Sequence, residues 1–125
     1  MPEMADVAED AAEYRRILMS MHENQARSRG PRRRRNRLLR PMQRVHLRLR
    51  GTPAGRDAIS ALLDDRCTTV RQWSATHALA WDTAKARTVL EALAANETGR
   101  VALDAKVTLR QFDAGHLHLS TDWQP

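Results

Sequence analysis

The chain of 125 residues has one cysteine, Cys67. That excludes an intramolecular disulfide framework and a four-cysteine zinc site. No stretch approaches the ~18 consecutive apolar residues of a membrane span, and the acidic start is unlike a secretion signal. Aromatic residues are few, with three Trp, one Tyr and one Phe. Lysine is nearly missing: among 21 basic residues only Lys85 and Lys106 are not arginine. No phosphate-cradling loop is present either, since Gly51 to Gly55 lacks the closing Lys-Ser/Thr of a nucleotide site. These absences leave one small domain, expected to be soluble and cytoplasmic. At this length it can bury about two-thirds of its unfolded surface in a single core.

The charge that is present is unevenly placed. Residues 1–26 carry a net −4, residues 27–50 a net +11 from arginine alone, and residues 51–125 a net −1. Such asymmetry suggests a basic surface for an acidic partner or for nucleic acid. A GC-rich genome would give the same excess of arginine, so composition leaves the cause of the arginine run open.

Apolar spacing is helical throughout. Val7, Ala11, Tyr14, Leu18 and Met21 form one stripe, which predicts an acidic amphipathic helix over 3–23. Residues 24–36 have no apolar period and contain Gly30-Pro31, and are read as a basic loop. Leu38, Met42, Val45 and Leu49 give a basic helix over 37–50 that either kinks or begins at Pro41. A first helix pair is expected over 55–80, with Ala58, Ile59, Leu62 and Leu63 on one helix. Val70, Ser74, Ala75, Ala78 and Leu79 form the face of the other, with Thr68 or Thr69 as its N-cap. A second pair is expected over 82–115. Asp82 would open it, and Ala86, Val89, Leu90 and Leu93 would face inward, as would Val101, Ala105, Leu109 and Phe112. Gly115 sits where a C-terminal cap belongs. Residues 116–125 are read as a tail.

Asp65, then Val70-Arg71-x-x-Ser74-Ala75 and Leu79, resembles the second helix of a HEAT repeat. The stretch 82–114, with Leu103-Asp104-Ala105-Lys106 before Leu109, resembles a degenerate second copy. Over about residues 33–115 the chain is similar to a small bacterial HEAT-like family filed as domain of unknown function two thousand and nineteen. The resemblance implies an all-α stack of antiparallel helix pairs in a right-handed superhelix of five to six helices. It also implies that Asp65 pairs structurally with Arg71, and an interaction or toxin-immunity-like role.

No constellation for catalysis stands out. His116 and His118 have no third ligand nearby, and Asp64 and Asp65 are adjacent and point apart. His77, beside the packed face of its helix, reads as a hydrogen-bonded core histidine. Cys67 has only Arg66 and Arg71 as candidate activators. The expectation is a non-enzymatic protein-binding module without cofactor or metal. Its candidate contacts are Trp73, Trp81, Arg40 and Arg44, because Trp and Arg dominate interface hot spots. Trp73 and Trp81 could equally plug gaps in the core. The alternative is weak, salt-dependent nucleic-acid binding through Arg32, Arg33, Arg34, Arg35, Arg37, Arg40 and Arg44. Residues 27–50 contain no aromatic for base stacking.

Overall fold

A computed structural model describes the backbone of residues 2–26 and 32–115, with side chains described over 6–24 and 37–115. Six α-helices are present among these residues, and no strand. They are α1 (Pro2–Ala26), α2 (Arg32–Arg50), α3 (Pro53–Ala61), α4 (Thr68–Ala78), α5 (Thr83–Asn96) and α6 (Gly99–Asp113). A 3-10 turn, Leu62–Asp64, follows α3.

Much of the stretch expected to be a loop is helical. α1 runs on to Ala26 and α2 begins at Arg32, so residues 24–26 and 32–36 of the expected loop are helical, and residues 27–31 lie outside the described residues. Gln and Arg are good helix formers without any apolar period, and periodicity could not reveal them. α2 passes through Pro41 rather than starting there. The missing N–H removes one backbone bond, yet Met42, Val45 and Leu49 beyond it are buried, and that packing holds the helix together. The tail 116–125 lies outside the described residues.

α3 starts cleanly. Pro53 stands at its start and Thr52 Oγ1 accepts from the Gly55 N–H at 3.0 Å. Gly55 is also where α3 meets the end of α2, because a Cβ there would overlap the Leu49 backbone. The N-cap of α4 is Cys67 rather than Thr68 or Thr69, and it makes no side-chain capping bond. Asp65 Oδ1 closes the turn just before the helix, accepting from the Cys67 N–H at 2.9 Å. Gly115 lies just past α6 at a φ of +75°, the left-handed position that glycine fills without strain.

α4 is the central element. It packs on α1 and α3 on one side and on α5 and α6 on the other, while α1 lies along α2. Its Val70, Ser74, Ala75 and Ala78, and Leu79 just past its end, are all buried, and the small residues among them allow close approach. The core continues through Tyr14, Leu18 and Met21 of α1 and Met42, Val45 and Leu49 of α2. Ile59, Leu63, Leu90 and Leu93 complete it. Each such aliphatic side chain contributes about 1.5–3 kcal/mol of burial.

Candidate functional site

Three places depart from a plain apolar helix stack: the outer stripe of α2, a buried histidine pair, and the turn before α4.

On α2, Arg37, Arg40 and Arg44 recur at spacings of three and four, so they share one face of the helix. All three are exposed, and none makes an ion pair among the described residues. The next arginine on that stripe, Arg48, is committed. Its guanidinium donates to both carboxylate oxygens of Asp10 on α1, at 3.0–3.3 Å. Glu13 lies 3.9 Å away. Acid beside Arg48 uses up its charge, whereas Arg37, Arg40 and Arg44 present theirs to solvent. Arg32, Arg33, Arg34 and Arg35 form the first turn of α2, and their side chains lie outside the described residues.

The tryptophans are placed differently. Trp73 and Trp81 are both half-buried and packed against the core. Trp81 donates from Nε1 to Ser60 Oγ at 2.9 Å, tying the α4–α5 connection to α3. Trp73 lies 5.8 Å from the His77 ring, and its Nε1 is buried with no acceptor. Both indoles pack partly against the protein's own core, whereas Arg40 and Arg44 are the exposed members of the candidate set.

The buried pair is His46 of α2 and His77 of α4. Their rings stack 3.5 Å apart and 9° from parallel. A 2.6 Å hydrogen bond joins His77 Nδ1 and the Tyr14 hydroxyl. His46 donates from Nδ1 to Gln43 Oε1 at 3.2 Å, which leaves its buried Nε2 an acceptor without a donor. Burial, with Arg50 nearby, pushes the His46 pKa from 6.5 down to about 3. Burial, then His46 and Arg50, pushes His77 down as well, and burial raises the Tyr14 hydroxyl. All three groups are held neutral. The cluster joins α1, α2 and α4 mechanically, and its shifted groups come from burial rather than from an open reaction site. His46 was the residue that sequence reasoning missed. The signal was its place next to Val45 and three residues before Leu49 on the apolar stripe.

In the turn before α4, Asp65 accepts from Arg15 Nε at 2.7 Å and from Arg15 Nη2 at 3.3 Å. Burial raises its pKa, but the bonds from Arg15 and the Cys67 N–H outweigh that and hold it low. Arg71, the partner implied by the resemblance, is not used. The Asp65 carboxylate turns back across the loop to α1, and Arg71 Nε is buried with no acceptor. Cys67 is half-buried in a cleft of about 410 Å³ shared with Arg15, His22 and Arg66. The His22 Nδ1 and Thr69 Oγ1 atoms are hydrogen-bonded at 2.9 Å beside it. Asp64 pairs with Lys85 at 3.0 Å. Among the described residues no three His, Cys, Asp or Glu side chains come together as metal ligands would. No described helix is long and apolar enough to cross a membrane. His116 and His118 fall outside the described residues.

No curated protein and no solved structure matches the chain. A family model does match residues 13–113, from the middle of α1 to the end of α6, and on that match the chain belongs to the family described as Domain of unknown function (DUF2019).

Proposed function

We propose that the protein is a non-enzymatic interaction module that docks an acidic protein surface on the arginine stripe of α2. The observation that carries this reading is the contrast within one stripe: Arg48 is neutralised by Asp10, whereas Arg37, Arg40 and Arg44 are exposed and uncommitted. Arginine keeps its charge at all physiological pH values and binds carboxylates through a planar fork. Three such groups on one rigid helix would steer an acidic partner and fix its register. The same reading takes α3–α4 and α5–α6 as HEAT-like helix pairs in a right-handed stack, because consecutive helices pack on each other and α4 joins the two pairs. A scaffold or toxin-immunity-like role in the cytoplasm belongs to the same proposal and rests on the resemblance to HEAT-like proteins.

Nucleic acid is the second reading, favoured by the same uncommitted arginines and by the four that open α2. Against it, the segment 27–50 has no aromatic for stacking, and a single outer helix face is not a groove that follows a phosphate backbone. Titration with a labelled DNA duplex and with an acidic polypeptide, each at low and at near-physiological salt, separates the readings. The proposal expects the polypeptide to bind and to lose affinity when Arg40 and Arg44 are both changed to Glu. Duplex binding that persists at near-physiological salt while the polypeptide fails would transfer the stripe to nucleic acid.

A further inference from the structure

The outer face of the α1–α2 hairpin carries opposite charges at its two ends. Residues 27–31 separate the helices, and Asp10, early in α1, meets Arg48, late in α2, so the two run antiparallel. Counting along both helices from that pair sets Arg44 level with Tyr14, Arg40 with Leu18 and Arg37 with Met21. The three arginines therefore occupy one half of the hairpin. Asp6, Glu9 and Glu13 occupy the other half, at the same spacings of three and four. Arg48 continues the arginine stripe, and its bond to Asp10 sets that acid, with Asp6 and Glu13 one turn to either side, beside the stripe. Each triplet spans about 10 Å. Asp6 and Glu9 are exposed and make no ion pair among the described residues, while Glu13 comes only within 3.9 Å of Arg48. Within one chain the triplets lie end to end, so neither neutralises the other.

We propose that this face is self-complementary and that a second copy of the chain docks on it about a two-fold axis. An axis crossing the hairpin between the levels of Glu13 and Tyr14 brings Asp6, Glu9 and Glu13 of one copy to the levels of Arg37, Arg40 and Arg44 of the other. Symmetry makes the same contact twice and closes the pair. Exposed charges hold it, so it is weak and sensitive to salt. The inference rests on the reading of the α2 stripe as a surface that docks acid: the second copy occupies the stripe until a more acidic partner displaces it.

Sedimentation equilibrium of the full chain, from micromolar to millimolar concentration, tests this at about 0.01 M and about 1 M salt, where charges are screened beyond about 30 Å and about 3 Å. Twice the chain mass is expected at low salt and the single mass at high salt. Two charge-reversed variants decide the face. Arg40→Glu with Arg44→Glu makes both halves acidic, and Asp6→Arg with Glu9→Arg makes both basic. Each variant alone should stay at the single mass in low salt. Their equimolar mixture should restore a dimer of one copy of each, because both contacts are then opposite in sign. All four positions are exposed, so both variants should melt like the wild type, and the salt dependence of the wild type needs no variant. A wild type at the single mass in low salt, a dimer retained by either variant alone, or a mixture that stays at the single mass would overturn the proposal. A wild type that stays single yet binds an acidic polypeptide overturns the dimer alone. A low-salt dimer in a chain that binds no acidic polypeptide upholds the dimer and counts against the function proposed above.

Discussion

Acidification from pH 7 to pH 5 should weaken the fold through its stacked histidines. His46 titrates near 6.5 in the unfolded chain and at about 3 in the fold, because burial and Arg50 oppose its charged form. Between those values the unfolded chain binds a proton that the native chain does not. Stability is therefore complete above about pH 6.5 and declines as the pH falls toward 3. By linkage, His46 alone removes about 2 kcal/mol between pH 7 and pH 5. His77 is depressed in the same direction and adds to the loss. Against a typical total of about 5–15 kcal/mol, that is a large share. The charged groups around the pair give no relief: Arg50 opposes both rings, and Tyr14 is neutral throughout the range. Asp65 and Asp113, both held low overall, lose their contribution only below about pH 4. Asp104, raised by burial, acts weakly in the opposite sense close to that pH. Urea unfolding followed by circular dichroism at pH 7, 6 and 5 measures the dependence. His46→Phe keeps a flat ring against His77 and should remove about half of the slope. Midpoints that stay fixed from pH 7 to pH 5, or a slope unchanged in His46→Phe, would refute the reasoning.

Three other perturbations address the packing. Gly55→Ala drives a Cβ into the Leu49 backbone and should cost more than ~3 kcal/mol; an unchanged thermal melt would contradict the α2–α3 contact. Asp65→Ala loses the Arg15 pair and the Cys67 N–H bond and should cost about 1–2 kcal/mol, whereas Arg71→Ala should stay within about 0.5 kcal/mol. The reverse order in chemical denaturation would restore Arg71 as the partner of Asp65. Trp81→Phe gives up the bond to Ser60 and should cost about 1 kcal/mol in the same assay.

The parts legible in the sequence were those set by local period. The face Val70, Ser74, Ala75, Ala78 and Leu79 could be read from spacing alone, and every one of those residues is buried. The start of α2 could not, because arginines before Leu38 carry no apolar signal although they favour a helix. Partners distant along the chain were equally invisible. Asp65 meets Arg15 across 50 residues, and only the packing of α4 against α1 brings them together. A local motif pointed to Arg71 instead. The tryptophans show the same limit: composition marks them as unusual, but whether an indole faces a partner or the core depends on neighbours such as Ser60 and His77. For Arg37, Arg40 and Arg44, burial of the opposite face left them outward, and the sequence already placed that face at Met42, Val45 and Leu49.

Affinity capture from nuclease-treated lysate, comparing the wild-type chain with Arg37→Glu, Arg40→Glu and Arg44→Glu combined, tests the central claim most directly. The account predicts an acidic protein retained by the wild type and lost by the variant, while both chains melt at the same temperature. Equal retention by the variant, or a capture that disappears with nuclease treatment alone, would contradict it.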